Sequence, residues 1–179
     1  MYNAIVVVGP PGSGKGTQAE LISKNFGYKH FSTGDIFRAL DRKSELGKKG
    51  FSLIDTGHLV PPELTVKITM DYIQKNANED EIIILDGFPR NVPQAKAAEG
   101  KIKVIKVLAF VGDLNVFKQR LLKRGQGRTD DTKEVIENRF KVYKRETEPM
   151  LNYYNSKIVN KINAEPSVED IYKEVEKVL

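Results

Sequence analysis

A glycine-rich segment near the N-terminus, GPPGSGKGTQ at residues 9–18, has the residue types that bind phosphate groups. Residues 9–15 fit the phosphate-loop pattern G-x-x-x-x-G-K-[ST], whose glycines let backbone N–H groups face phosphate oxygens. Lys15 adds a positive charge for the β- and γ-phosphates. The pattern ends in a hydroxyl residue near magnesium, but here Gly16 takes that place and Thr17 follows it. The segment predicts binding of a nucleoside triphosphate.

A second candidate for phosphate chemistry is the carboxylate of Asp86, in the segment EIIILDGFPR. A lone aspartate at the end of a strand is more often a cap or turn residue. With a phosphate loop upstream, we expect Asp86 to hold Mg²⁺ through water, together with Thr17. Zinc is not expected, because the chain has no cysteine and its two histidines, His30 and His58, are far apart in sequence.

These residues need elements that bring them to one place, and the apolar pattern predicts an α/β fold. Apolar runs predict buried strands at 4–8, 82–85, 104–110 and 157–162. Helical spacing is found at 14–26, 34–42, 62–76, 91–99, 113–123, 132–155 and 167–178. This alternation favours a parallel sheet with helices on both faces and ligands at the carboxyl ends of its strands.

Composition and charge are typical of one folded domain that binds an anion. The chain has 179 residues, 40% hydrophobic and 30% charged, with a net charge of +5. The basic excess suits a polyanionic small molecule, and no repeat of aromatic and basic residues points to nucleic acid. The apolar run at 4–8 is too short for a signal segment or a membrane span, so we expect a cytoplasmic protein without a membrane partner.

Several motifs, taken together, resemble one family. GPPGSGKGT, FSTGDIFR, LVPPE, LDGFPRN followed by Gln94, RLLKRG and GRTDD occur in the order seen in the adenylate kinase family, nearly from end to end. The family's loop reads G-K-G-T, so Gly16 followed by Thr17 is its normal form. The resemblance implies a P-loop NTPase fold with a five-stranded parallel sheet. It also implies a single domain over 1–179, with a monophosphate-binding insertion at about 32–61 and a short lid at about 124–131.

The resemblance further implies reversible, Mg²⁺-dependent transfer of a phosphoryl group from ATP to AMP, giving two ADP, and roles for particular residues. Those expected around ATP are Gly12, Ser13, Gly14, Lys15, Gly16, Thr17, Arg120, Arg124 and Pro166. Those expected around AMP are Thr33, Gly34, Arg38, His58, Leu59, Val60, Gly87, Phe88, Pro89, Arg90, Gln94, Arg128 and Arg139. The expected catalytic residues are Lys15, Arg90, Arg124, Arg128 and Arg139.

Some of these residues have simpler interpretations. Arg38 could be a solvated helix residue, and Arg139 lies among other basic residues, so spacing alone does not select it. The segment DTKE at 131–134 resembles a helix capping box, which makes a cap as good an explanation of Asp131 as catalysis. The lid sequence R-G-Q-G-R is also two residues shorter than the usual short lid, so its coverage of ATP is in question.

The chemistry expected at such a site needs no general base. The phosphate of a nucleoside monophosphate has a second pKa of about 6 and is already mostly an oxyanion at neutral pH. What remains is to offset charge and align the groups, which lysine and arginine side chains do. We therefore expect in-line transfer without a covalent enzyme intermediate.

Two alternatives to an adenylate kinase remain open from the sequence. A UMP/CMP kinase shares the phosphate loop, the DGFPR motif and the short lid, although Thr33 and Gln94 favour AMP. A protein that binds nucleotides through the same fold but has weak kinase activity is the second alternative. We expect the small-molecule nucleotides ATP, AMP and ADP as partners, no nucleic-acid or membrane partner, and a monomeric protein.

Overall fold

The β-branched strand Tyr2–Val8 (β1) lies at the centre of a five-stranded parallel sheet in the computed structural model. The structure describes residues 1–41, 43–56, 58–124 and 132–179. The other strands are Lys29–Ser32 (β2), Ile82–Asp86 (β3), Ile102–Val111 (β4) and Val159–Asn163 (β5). Their order in the sheet is β2-β3-β1-β4-β5. The phosphate loop therefore follows the central strand, and Asp86 ends the strand beside it.

Helices cover both faces of this sheet. They are Lys15–Phe26 (α1), Thr33–Arg38 (α2), Glu45–Ile54 (α3), Pro62–Asn76 (α4), Val92–Ala97 (α5), Leu114–Arg124 (α6), Lys133–Val142 (α7) and Val168–Glu176 (α8). A π-helical turn, Tyr143–Thr147, and a 3₁₀ turn, Glu148–Asn152, continue from α7, and a second 3₁₀ turn, Ser156–Ile158, precedes β5. No helix in the described ranges combines the length and apolarity needed to cross a membrane.

The core has two halves because successive side chains of a strand point to opposite faces of the sheet. Ala4, Val6 and Val8 of β1 pack on one face, with Ile83 and Leu85 of β3. The intervening residues of both strands pack on the other face, against α1, α6 and α8. Burial on both faces explains why β1 and β3 are continuous apolar runs.

The four strands expected from apolar runs are all present, and the helix expected at 62–76 is confirmed as α4. Strand β2 was missed because KHFS is short and only Phe31 among its residues is buried. Helix α3, inside the polar insertion, was also missed. The single helix expected over 132–155 was wrong, since α7 ends at Val142 and the chain changes to π and 3₁₀ turns before Pro149, which lacks the N–H of a regular helix.

Helix α7 is capped by Thr132, whose hydroxyl accepts a hydrogen bond from the backbone N–H of Val135 at 3.3 Å. The interpretation of Asp131 as the capping residue was therefore wrong by one position. The hydroxyl of Thr132 can cap the helix because its oxygen, like that of a carboxylate, accepts from a free N–H group of the first turn.

Candidate active site

The phosphate loop turns sharply between β1 and α1. The N–H of Ser13 donates to the carbonyl of Pro10 at 3.2 Å, and Gly12 and Gly14 have φ values of 81° and 80°. No side chain caps α1, which begins at Lys15. The arrangement is the one the sequence predicts, with backbone N–H groups and a helix N-terminus available to an anion.

One cavity of about 370 Å³ opens at the carboxyl edge of the sheet and contains most of the expected site residues. They are Gly12, Gly14, Lys15, Gly16, Thr17, Thr33, Gly34, Arg38, His58, Leu59, Val60, Asp86, Gly87, Arg90, Gln94, Arg120 and Arg139. The remaining lining residues, to which the sequence assigned no role in the site, are Glu20, His30, Ser32, Asp35, Phe37, Thr65 and Leu121. Residues far apart in sequence thus form one polar, predominantly cationic cavity.

Four expected residues lie outside that lining. The side chain of Ser13 is fully buried beneath the loop, and its hydroxyl has no partner in the described part of the chain. Phe88 is fully buried in the core, while Pro89 lines a smaller cavity of about 70 Å³ beside Lys15 and Arg90. Pro166 lies in the loop after β5.

Two expected arginines of the lid are not covered by these observations. Arg128 and the side chain of Arg124 lie outside the described part of the chain. Their roles, and the lid at about 124–131, therefore stay predictions.

The carboxylate of Asp86 faces the start of α1. A Cβ placed on Gly16 would lie 3.1 Å from Asp86 Oδ2, and His30 Nε2 lies 3.9 Å from the same oxygen. Within the described ranges, no group of three or more His, Cys, Asp or Glu side chains could hold a metal by itself. One carboxylate and the hydroxyl of Thr17 suit Mg²⁺, which keeps several waters and binds largely through the phosphates of its nucleotide. The donor set fits a magnesium nucleotide and not a protein-caged metal.

His30 carries a buried polar atom, although the sequence suggested only a packing or loop role for this residue. It lies on β2, and its Nε2 atom is buried with no hydrogen-bond partner in the described residues. Its place beside Asp86 follows from the pairing of β2 with β3, in which Ser32 is opposite Asp86. The position of His30 could have been predicted from the sequence only if KHFS had been identified as a strand.

On the insertion side of the cavity, two side chains are fixed by backbone groups. The hydroxyl of Thr33 donates to the carbonyl of Gly87 at 2.7 Å. The amide oxygen of Gln94 accepts from the backbone N–H of Arg90 at 2.7 Å. Because a backbone N–H can only donate, this contact fixes which way the Gln94 amide points. The Gln94 NH₂ group is thus left as the donor on a side chain that lines the cavity.

The guanidinium of Arg120 organises the other end of the site. Its Nη1 donates to the carbonyl of Ala164 at 2.6 Å, and its Nη2 donates to Glu165 at 2.5 Å and to Pro166 at 3.3 Å. The Cζ atom of this guanidinium lies 5.7 Å from the centre of the Phe117 ring. Arg120 therefore holds the loop after β5, which contains Pro166, against α6.

The cations of the cavity come from several separate elements. Lys15 begins α1, Arg38 ends α2 and Arg139 lies on α7. Arg38 forms an ion pair with Asp35 at 2.5 Å, which fixes its direction at the edge of the cavity. Arg90 donates through Nε to the carbonyl of Gly87 at 2.9 Å. Positive groups from four parts of the chain can therefore surround a group of phosphates.

A parallel sheet with a phosphate loop after its central strand, and a carboxylate after the neighbouring strand, defines a P-loop nucleotide-binding protein. The chain belongs to the adenylate kinase family, since the sequence model described as adenylate kinase matches residues 7–159. It is 43% identical over 176 residues to an adenylate kinase of Rhodococcus erythropolis, covering 93% of each chain. It is 40% identical to adenylate kinase isoenzyme 1 of Homo sapiens, covering 96% of this chain and 91% of the relative. An adenylate kinase of Corynebacterium urealyticum is 41% identical over 173 residues, 93% of each chain.

Proposed function

We propose that this protein transfers the terminal phosphoryl group of MgATP to AMP, reversibly, and forms two ADP. The observation that carries the proposal is a single cavity that combines a phosphate loop with a second, differently built nucleotide subsite around Thr33 and Gln94. Membership of the adenylate kinase family and relatives of that name at about 40% identity support it.

The acceptor base is selected by the hydrogen-bonding groups that the cavity offers. The single hydroxyl proton of Thr33 goes to the carbonyl of Gly87, so its oxygen can only accept from a ligand. The NH₂ group of Gln94 can only donate. Adenine offers an amino donor next to a ring-nitrogen acceptor, which complements this pair, whereas guanine and uracil offer a carbonyl next to a ring N–H. The pair therefore favours AMP over GMP and UMP.

CMP is the strongest alternative acceptor. Cytosine presents the same order of amino donor and ring acceptor as adenine, but on a smaller ring that buries less area. Initial rates with AMP, CMP, UMP and GMP under MgATP test the proposal. We expect kcat/KM to be highest for AMP by at least about tenfold, a difference of about 1.4 kcal/mol. UMP as the best acceptor would overturn the assignment.

A substitution at Gln94 tests whether this residue causes the preference for AMP. Gln94→Glu keeps the acceptor that receives the Arg90 N–H and replaces the NH₂ donor by a second acceptor. We expect kcat/KM for AMP to fall by about tenfold or more, as for a site whose buried polar group loses its partner. The matched control is Gln74→Glu, which introduces the same charge at an exposed position of α4 away from the cavity. Equal rates for the two variants would remove Gln94 from base recognition.

Phosphoryl transfer at this site relies on position and charge. The AMP phosphate attacks as an oxyanion, so no side chain has to accept a proton. Lys15, Arg90 and Arg139 stabilise the charge on the phosphates, and the lid arginines Arg124 and Arg128 are proposed to join them. Thr17 and Asp86 would hold Mg²⁺ when it is bound with the nucleotide, and the ion would then offset phosphate charge. The insertion at about 32–61 and the lid at about 124–131 are proposed to close over the nucleotides and exclude water.

We also propose that the protein acts as a cytoplasmic monomer. The exposed large apolar side chains of the described residues are scattered over separate elements and the N-terminus, which gives no single patch for self-association. They are Met1, Phe26, Tyr72, Leu122 and Val168. Light scattering at micromolar concentration should give a mass near 20.2 kDa. A stable mass of twice that value would contradict the proposal.

A further inference from the structure

Helix α7 contacts the acceptor insertion through a side chain with no role in the reaction described above. The Nδ2 atom of Asn138 donates to the backbone carbonyl of Thr56 at 2.6 Å, joining residues 82 positions apart. Asn138 immediately precedes Arg139, which lines the cavity. Thr56 follows α3 directly after Asp55. The bond therefore connects the helix that presents a phosphate-binding arginine with the insertion that forms the acceptor subsite.

Thr56 is also the residue that orients His58. Its hydroxyl donates to the carbonyl of Leu53 at 2.9 Å, and the carbonyl of Ser52 lies 3.2 Å from the same hydroxyl oxygen. That oxygen is also 2.9 Å from His58 Nδ1. With the single hydroxyl proton of Thr56 on α3, the Thr56 oxygen can accept from the His58 tautomer that carries its proton on Nδ1. The backbone N–H of His58 also donates to Leu53 at 2.8 Å. The end of α3, Thr56 and His58 thus form one hydrogen-bonded unit.

That unit carries one wall of the cavity. His58, Leu59 and Val60 all line it, whereas Asn138 does not. Asn138 is partly buried, and its bond reaches the carbonyl of the same residue whose hydroxyl holds His58. A shift of Thr56 away from α7 would therefore move this wall relative to Arg139.

We propose that Asn138 is a positioning residue for the acceptor subsite. Its hydrogen bond to the carbonyl of Thr56 holds the insertion against α7. The bond thereby fixes the position of the cavity wall at 58–60 relative to Arg139. The inference rests on the proposed function, because it assigns the wall to the nucleoside monophosphate. One net hydrogen bond corresponds to roughly a threefold to tenfold change in affinity. Loss of the bond should weaken AMP binding by that factor and leave ATP binding unchanged.

The first test replaces the donor by a side chain of similar size, Asn138→Leu. We expect KM and the calorimetric Kd for AMP to rise about threefold to tenfold, while the Kd for ATP stays at the wild-type value. Asn138→Asp, which keeps the shape and puts an acceptor against the carbonyl, should weaken AMP binding at least as much. The matched control is Asn76→Leu, because Asn76 donates to the carbonyl of Tyr72 at 2.7 Å within its own helix.

The second test measures the docking itself and does not depend on turnover. The chain has no cysteine, so Lys48→Cys on α3 and Glu176→Cys on α8, both at exposed positions, provide two unique labelling sites. Energy transfer between the labels should report a broader or longer distance distribution in Asn138→Leu than in wild type or Asn76→Leu. Thr56→Val keeps the carbonyl, so its distance distribution should match the wild type.

The outcomes separate this inference from the proposed function. An unchanged distance distribution in Asn138→Leu, equal losses of AMP and ATP affinity, or a Thr56→Val distribution as broad as that of Asn138→Leu would each overturn it. If the wild type neither binds nor phosphorylates AMP, the proposed function fails. The label distances would still decide whether Asn138 docks the insertion.

Discussion

Gly16 stands where most phosphate loops have a hydroxyl residue. The nearby carboxylate of Asp86 explains why this position has little room for a side chain. A Cβ at this position would lie 3.1 Å from Asp86 Oδ2, closer than an ordinary van der Waals contact. The sequence led us to expect that Gly16 keeps bulk away from phosphates. The structure adds that it also leaves room for the carboxylate proposed to hold magnesium.

Gly16→Ala should therefore act through Asp86. Because the added carbon forces the carboxylate to move by a few tenths of an ångström, we expect the Mg²⁺ concentration for half-maximal rate to rise several-fold and kcat to fall about tenfold. Gly16→Ser, which restores the usual hydroxyl, should be impaired as well. The Kd for ATP measured without Mg²⁺ is the internal control and should change little. Full activity of Gly16→Ser at low Mg²⁺ would contradict this account.

Single residues differed in how far the sequence could place them. Lys15 and Thr17 could be placed because a phosphate loop fixes its own backbone over a few residues. The direction of the Gln94 amide could not, since it depends on the N–H of Arg90 in the turn before α5. Arg120 was expected around ATP from the resemblance alone. The structure adds that its guanidinium is bonded to three consecutive carbonyls after β5.

At the scale of elements, the phosphate loop is held by its packing on α6. Gly12 and Gly14 have nearly the same positive φ, but their surroundings differ. A Cβ on Gly12 would collide with the carbonyl oxygen of Phe117 and approach Leu121, while a Cβ on Gly14 meets nothing within 4 Å. The two glycines thus form a matched pair in which only the packing differs.

Alanine at Gly12 and at Gly14 distinguishes the cost of backbone strain from the cost of a steric clash with α6. For Gly14→Ala we expect the free energy of unfolding to fall by roughly 1–2 kcal/mol, the cost of a left-handed conformation for a residue with a Cβ. For Gly12→Ala we expect a loss of at least about 3 kcal/mol, since overpacking against α6 is added. Urea unfolding at equilibrium measures both. Equal losses would show that α6 does not constrain the loop.

The π-helical turn after α7 places a buried phenol behind the phosphate loop. Tyr143 is 8% exposed and lines the small cavity with Pro11, Arg90 and Arg139. Burial, and to a lesser degree the nearby Glu148 carboxylate, raises the pKa of Tyr143 from 10.0 to about 12. π-Helical turns frequently occur at functional sites. Here the turn lets the chain after Arg139 pack a large side chain against the loop.

The raised pKa of Tyr143 gives a testable pH dependence of stability. The folded state holds the phenol proton more tightly than the unfolded state, so this contribution is complete below pH 10 and is lost between pH 10 and about 12. The free energy of unfolding should fall there by at most about 1.4 kcal/mol per pH unit for this one proton. Tyr143→Phe should reduce that slope in urea unfolding at pH 8 to 11. An unchanged slope would contradict the assignment to Tyr143.

Elements whose apolar residues recur at a regular spacing could be predicted from the sequence. Elements that form because of tertiary contacts could not. Helix α4 keeps a buried stripe over 15 residues and was placed to the residue. The four-residue strand β2 has one buried side chain and exists because it pairs with β3. The break after Val142 is signalled only by Pro149, several residues later, so the pattern could not place it.

At the scale of the whole molecule, the parallel sheet is what makes one site out of distant motifs. The loops after β1, β2, β3 and β5 all leave the same edge of the sheet, which brings the phosphate loop, the insertion, Asp86 and the loop at Pro166 together. Alternating strands and helices predicted this edge. The order of the strands could not be read from the pattern, because it depends on which crossovers pass over which face.

The proposed reaction moves a phosphoryl group from ATP to AMP within this one cavity. It can be followed by ³¹P NMR, starting from MgATP and AMP, with the wild type and with Lys15→Ala. For the wild type we expect two ADP for each AMP consumed and no release of inorganic phosphate. For Lys15→Ala we expect nearly complete loss of turnover with an unchanged melting temperature, because the lysine stabilises phosphate charge and is not part of the core. Inorganic phosphate accumulating while AMP stays constant would show instead that the protein hydrolyses ATP and does not transfer its phosphoryl group to AMP.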